Sequence, residues 1–186
     1  MFARLNYFFH GLALVFKECL ILGRDLYSLL YKDPLTSLMN YQALTEAGRR
    51  AEAFARRRGE WLSVVMIDLD DFKSVNDLAG HDVGDEVLAD FALVLQKTLR
   101  CSDVLGRARA GRRGGDEFVL VLPGADWSGA EAVMRRLKLA SEVVGFSYGI
   151  SSVRFHRKSG GMTFEEMLEC ADHRMYEQKR EKGAAR

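Results

Sequence analysis

Hydrophobic residues first recur near the N-terminus, where Leu5, Phe8, Leu12, Val15, Cys19, Leu22, Leu26 and Leu29 are separated by alternating steps of three and four. That spacing is the a/d seam of a heptad repeat held for about four heptads, and it predicts a long helix over residues 1–33. Three arrangements compete for such a helix: a parallel coiled coil with a second copy, packing on its own domain, and a membrane span. The uncharged run from Leu5 to Phe16 is followed by Lys17, Glu18, Arg24 and Asp25, and it is too short to cross a bilayer of about 30 Å. A secretory leader also fits poorly, because only Arg4 precedes the apolar part and no small-residue cleavage site stands out. The seam favours a dimerising coiled coil, while Phe9, Phe16 and Leu30 widen the stripe and keep packing on the domain open. Asp33-Pro34 breaks the helix, since proline has no donor and restrains the residue before it.

Beyond the proline the periods are mixed. Thr36–Arg58 is predicted helical, with Leu38, Leu44, Ala47, Ala51 and Phe54 inward, and Gly59 stopping it. Its arginines, Arg49, Arg50 and Arg56–Arg58, form a solvated face and helix end. Leu62–Leu69 is a continuous apolar run of strand type and ends in Asp68-Leu69-Asp70-Asp71. After Phe72–Asp77 come a loop, Ala79–Gly84, and an amphipathic helix, Asp85–Arg100, with Val87, Leu88, Phe91, Val94, Leu95 and Leu99 on one face. Val104–Arg107 is a short strand, Ala108–Arg112 a basic loop, and Phe118–Pro123 a strand. A helix over Asp126–Leu139, a strand over Phe146–Phe155 and a turn over His156–Gly161 follow. The last helix opens on a capping box, Thr163 and Glu166, and buries Phe164, Leu168, Ala171 and Met175. This order, without internal repeat, predicts an α/β fold with helices around one sheet.

Composition narrows the partners. The 186 residues are 48% apolar and 28% charged, enough for one domain plus an appendage. The formal net charge is +1, so no global basic field argues for nucleic acid or an anionic membrane, and any anion must be gripped locally. Cys19, Cys101 and Cys170 have no metal-like spacing and are odd in number, which fits buried thiols in a reducing, cytoplasmic setting.

Two stretches carry candidate chemistry. In Arg113-Gly114-Gly115-Asp116-Glu117-Phe118, paired glycines and paired carboxylates stand where a turn enters a strand. Such a run is a polar hairpin turn in many proteins. It also lets backbone approach a nucleotide phosphate, with Asp116 or Glu117 holding a hard cation against it. Acids at the end of the buried Leu62–Leu69 strand favour the second reading, because charge there is costly unless a metal or a donor compensates it. His81 has two readings as well, a metal ligand or the more ordinary loop histidine bonded to backbone.

Together these residues resemble the GGDEF domain, the catalytic module of diguanylate cyclases, over about Asp33 to Gly183. The resemblance is carried by Asp33-Pro34-Leu35-Thr36, Asp68-Leu69-Asp70-Asp71-Phe72-Lys73 with Asn76-Asp77, Gly80-His81 with Gly84-Asp85, Gly114 to Phe118, Ser147-Tyr148-Gly149-Ile150, and Ala171-Asp172 through Tyr176 to Lys179. It implies a central, mainly antiparallel sheet wrapped by helices, like that of nucleotide cyclases, over residues 34–183. It implies condensation of two GTP into cyclic di-GMP with release of pyrophosphate, between two domains of a homodimer joined through the N-terminal helix. Asp68, Asp116 and the carbonyl of Leu69 would hold magnesium, with manganese as an alternative. Glu117 would assist at the metal or the attacking hydroxyl, Asn76 and Asp85 would read the guanine edge, and Phe72, Lys73 and Lys179 would surround the phosphates beside Gly114 and Gly115.

The chain also departs from the family's pattern. Arg100-Cys101-Ser102-Asp103 matches the family's RxxD product-inhibition site, but extra residues around Arg107–Arg113 stand between it and the signature. Ser37 and Tyr41 replace a usual glycine and arginine, the segment from Pro123 to Phe146 is short for the family's peripheral hairpin, and Lys182-Gly183-Ala184 stands where a phosphate-binding arginine is expected. These differences leave a second expectation: a GTP- or cyclic di-GMP-binding module, weak or inactive in catalysis, that signals through its helix.

Overall fold

The computed structural model describes residues 17, 26, 28–102, 109–141, 144–156 and 161–184. Most of the heptad seam, from Leu5 to Leu22, lies outside them, as do the predicted strand at Val104–Arg107 and most of the turn after His156. Leu26 and Leu29 are helical. Among the described residues no helix is long and apolar enough to cross a membrane.

The elements, in order, are α1 (Tyr41–Arg58), β1 (Trp61–Leu69), α2 (Phe72–Ala79), α3 (His81–Ser102), β2 (Arg109–Gly114), β3 (Glu117–Pro123), α4 (Trp127–Ala140), β4 (Phe146–Arg154) and α5 (Phe164–Ala184). The strands form one sheet in the order β2-β3-β1-β4, and every neighbouring pair is antiparallel. The mainly antiparallel sheet wrapped by helices is therefore the observed architecture.

β1 is apolar without alternation because both of its faces are covered. Leu62, Val64 and Met66 pack with Leu44 and Ala55 of α1 and with Phe164, Met167, Leu168, Ala171 and Met175 of α5. Val65, Ile67 and Leu69 face the other way, onto Leu88, Phe91 and Leu95 of α3 and Val133, Met134 and Leu137 of α4. Burial on both sides removes the period-two signal that a half-exposed strand would show. Helix ends follow local chemistry. Asn40 and Asp126 cap α1 and α4 through their side chains, and Gly59 ends α1 at φ 70°. The Thr163–Glu166 box closes with reciprocal bonds of 2.8 and 3.2 Å.

Three sequence expectations are corrected. The first helix starts at Tyr41, not Thr36, because Asp33 takes the preceding residues into a turn. Its carboxylate accepts the Thr36 amide at 2.8 Å and the Thr36 hydroxyl at 2.7 Å, and such local bonds compete with helix. The loop at Ala79–Gly84 is absent: α2 and α3 are separated by Gly80 alone, whose φ of 90° makes the corner. The basic loop at Ala108–Arg112 is instead mostly strand β2, paired to β3 from Arg109↔Val121 to Arg112↔Phe118. Its arginines hid this, since an edge strand needs ladder partners more than apolar side chains.

The Asp33 turn gives a testable pH dependence. Burial opposes ionisation of Asp33, but the bonds from Thr36 and the nearby Arg112 guanidinium outweigh it and hold the carboxyl below its ordinary value. A lowered folded pKa means stability that is present above the unfolded value, about 3.9, and lost as pH falls through the folded one. Asp33→Asn should cost about 1–2 kcal/mol at pH 7. Urea midpoints of the two proteins should draw together as pH falls below about 3.9 and converge only below the lowered folded value, where the parent's own carboxyl becomes protonated in the fold. A gap that persists there would refute the assignment.

Candidate functional site

The register of β1 against β3 assembles the acids. Asp68 stands opposite Glu117 across the ladder, and the Leu69 amide donates to the Asp116 carbonyl at 3.3 Å. The hairpin turn between β2 and β3 thus sits at the C-terminal end of β1. Gly115 takes φ 54° there, a left-handed conformation that suits glycine. No heavy atom lies within 4 Å of the place a Cβ would occupy at Gly114 or Gly115. The run is both a hairpin turn and an open approach for a ligand, so its two readings do not exclude each other.

Charge is unbalanced at this end of the sheet. Asp68 is buried, and Lys179 of α5 donates to it at 2.5 Å. Asp70 accepts from the Ser147 hydroxyl at 2.6 Å and from Lys182 at 2.8 Å, and Lys182 also donates to the Phe146 carbonyl. Arg113 lies 3.7 Å from Glu117 and 3.5 Å from Asp172. Asp68, Asp70, Asp116, Glu117 and Asp172 therefore face Lys179, Lys182 and Arg113, an excess of carboxylate.

The protonation equilibria report the same shortage. Burial raises the Asp68 pKa; the bond from Lys179 opposes this, but the charges of Asp116 and Asp70 add to it. Burial raises Glu117 too, with Arg113 opposing and Asp172, Asp68 and Asp116 reinforcing. Lys179 is pushed up despite its desolvation, because Asp68, Asp116 and Asp70 all favour its charged form. Burial leads the rise of both acids, and the bond to Asp68 leads that of Lys179. The neighbouring carboxylates add to all three in the same direction, a negative charge that a divalent cation would relieve. Among the described residues no three His, Cys, Asp or Glu side chains form a preformed cage. The donors on hand are two carboxylates, Asp68 and Asp116, and the Leu69 carbonyl, a hard oxygen set of the sparse kind that magnesium accepts while keeping waters.

Next to the acids lies the corner between α2 and α3. Asp71, at φ 56°, turns the chain from β1 directly into α2. Phe72 is buried, Lys73 is exposed and Asn76 is half-buried on α2, while Asp85 is exposed near the start of α3. The predicted site residues Asp68, Leu69, Phe72, Lys73, Asn76, Asp85, Gly114, Gly115, Asp116, Glu117 and Lys179 thus occupy adjoining strand ends, the α2–α3 corner and the facing stretch of α5. His81 is exposed as the first residue of α3, and among the described residues it joins no group of His, Cys, Asp or Glu that could hold a metal. Asp103 and the side chain of Arg100 lie outside the described residues.

Sequence reading missed three groups. Arg113 stands where the inserted residues meet the signature stretch, and its guanidinium joins Glu117 to Asp172. Lys182, expected as a stand-in for a phosphate arginine, is engaged by Asp70 and the Phe146 carbonyl. Arg112 bridges from Asp33, at 3.4 Å, to the Gly115 carbonyl, at 2.9 Å. It thereby links the end of the N-terminal segment to the signature turn. No spacing rule announces the contacts of Arg113 with Asp172, of Lys182 with Asp70 or of Arg112 with Asp33, which join residues far apart in sequence.

Comparison with known proteins is consistent with this geometry. The sequence pattern of the family described as "Diguanylate cyclase, GGDEF domain" matches residues 30–185. The diguanylate cyclase DosC of Escherichia coli (strain K12) is 35% identical over 158 residues, 80% of this chain and 33% of that protein. The chain thus spans about a third of the length of this curated relative. The crystal structure of diguanylate cyclase SiaD from Pseudomonas aeruginosa, in complex with its activator SiaC, superposes with a TM-score of 0.73 at 29% identity, covering 97% of this chain and 71% of that one. The GGDEF domain of DgcB from Caulobacter crescentus, in complex with c-di-GMP, superposes with a TM-score of 0.71 at 25% identity, covering 82% and 89%.

Proposed function

Because this chain belongs to the GGDEF family of diguanylate cyclases, we propose that it condenses two molecules of GTP into cyclic di-GMP, releasing two pyrophosphates. The observation that carries the reading is the pairing of Asp68 with the Asp116-Glu117 turn across β1 and β3, in a site with surplus negative charge.

In each half-reaction the 3′-hydroxyl oxygen of one GTP forms a bond to the α-phosphorus of the other. The bond to the bridging oxygen breaks, and pyrophosphate leaves with the electron pair. Asp68, Asp116 and the Leu69 carbonyl would hold a divalent cation, magnesium or manganese, which when bound would supply Lewis acidity toward the α-phosphate and the attacking hydroxyl. Glu117, whose proton affinity is raised by burial, is placed to assist there or to receive the hydroxyl proton. Lys73 and Lys179 act as point charges on the phosphates, Lys179 exchanging Asp68 for substrate, with Phe72 beside them. Gly114 and Gly115 let the backbone close on the nucleotide. Asn76 and Asp85 bond the guanine edge, a carboxylate being the right acceptor for the N1 and N2 donors and the wrong partner for adenine.

One domain holds one GTP, so turnover requires a second copy facing the first. We assign that pairing to the N-terminal helix, whose seam residues Leu26 and Leu29 are 57% and 80% exposed where it joins the domain. The contact from Asp33 through Arg112 to Gly115 gives the helix a route to the signature turn, and the substrate and thiols fit a cytoplasmic setting. The alternative of a binding module without turnover is not favoured over this reading, since Asp68, Asp116, Asn76 and Asp85, the residues assigned to the cation and to guanine, are all present.

The test is incubation of the purified protein with GTP and magnesium, with products separated by chromatography over a dilution series. Cyclic di-GMP should appear with a steeper than linear dependence on protein concentration. GTP bound but not turned over would overturn the assignment.

A further inference from the structure

A candidate guanine reader, Asn76, is seated on bare backbone. Gly84, buried in the first turns of α3, faces α2, and a Cβ built on it would lie 2.0 Å from Asn76 Oδ1, 3.1 Å from Asn76 Cγ and 3.2 Å from Phe72 Cζ. Asp85 is the next residue. Two of the groups assigned to the nucleotide, Asn76 and Phe72, therefore meet at Gly84, beside a third, Asp85. Gly84 has ordinary helical backbone, so no positive φ explains a glycine there. In an unstrained helix alanine is the better former, which leaves the space itself as the reason.

We propose that Gly84 is a positioning and specificity-determining residue: its missing Cβ forms the notch that holds the Asn76 carboxamide toward the guanine edge. The inference rests on the assignment of Asn76 to guanine. The conflicting atom is the far end of a side chain that is half-buried and can rotate toward solvent. A methyl at Gly84 should therefore expel Asn76 while α2 and α3 stay packed. Helix propensity and ligand binding then move in opposite directions, which a purely structural glycine would not produce.

The experiment measures binding of guanosine 5′-[α,β-methylene]triphosphate and of its adenosine counterpart, with magnesium, to the parent, Gly84→Ala, Asn76→Ala and the double variant. Gly84→Ala should keep or raise the melting temperature and weaken the guanosine ligand about tenfold or more, as expected for losing one to two hydrogen bonds. Adenosine affinity should barely change. The double variant should bind like Asn76→Ala alone, because both changes remove the same contact. Additive losses, undiminished guanosine binding by Gly84→Ala, or its failure to fold would each overturn the inference. A parent that does not bind the guanosine ligand would instead sink the functional assignment on which it stands.

Discussion

Asp116→Asn is expected to reduce cyclic di-GMP synthesis on the order of a thousandfold or more, the scale of losing a charged group that acts on the transition state, without lowering the melting temperature. The side chains are nearly isosteric, so packing at the hairpin turn is kept. What disappears is a negative charge that raises the proton affinity of both Asp68 and Glu117. A carboxyl whose folded pKa is raised favours the fold when protonated, and that contribution is lost as pH rises through the raised value. At neutral pH the ionised cluster therefore works against the fold, and removing one member relieves it. Magnesium should raise the melting temperature of the parent by mass action and do so much less for the variant. Thermal melts with and without magnesium, beside the chromatographic assay, read both effects. Turnover near the parent's would remove Asp116 from the mechanism; a melting temperature several degrees lower would make its role structural.

Gly149→Ala is expected to be the most damaging single methyl in the sheet. Its Cβ would lie 2.0 Å from the Ala171 carbonyl oxygen, 2.3 Å from the Met175 amide nitrogen and 2.9 Å from the Arg174 carbonyl carbon. These are backbone atoms of α5, so no rotamer relieves the clash and the helix must move off β4. That helix buries Phe164, Met167, Leu168, Ala171 and Met175 against the sheet, and it carries Lys179 to Asp68. Overpacking without an escape route should cost about 3 kcal/mol or more, a drop of roughly 10 °C for a chain of this size. Circular dichroism melts measure it, and a change within about 2 °C would show that α5 docks more loosely than these distances imply. The comparison with Gly84→Ala is instructive. Both glycines are crowded, but one faces a side chain that can turn away and the other faces a helix that cannot.

Elements whose signals are local were legible in the sequence. The apolar run of β1, the stop at Gly59 and the capping box of α5 depend on residues a few positions apart, and each stands where the pattern placed it. The acids at the end of β1 and in the Gly-Gly-Asp-Glu turn were legible as chemistry for a similar reason: charge at a strand end demands compensation whatever the fold. β2 was not, because an edge strand of arginines and glycines has no hydrophobic period and is specified by its ladder to β3. The start of α1 was misplaced because Asp33 offers Thr36 bonds that propensity does not count.

The sequence by itself therefore determined the inventory: which segments are buried, which turns require glycine, and which carboxylates, lysines and amides are available for a nucleotide and a cation. Only the tertiary structure decided the partnerships. Asp68 meets Lys179, Glu117 and Asp172 share Arg113, Asp70 engages Lys182, and Asn76 rests on Gly84. The physical reason lies in the range of the forces. Burial and capping are set by neighbours along the chain, whereas the balance of charge and the space left by an absent Cβ exist only after distant segments pack together.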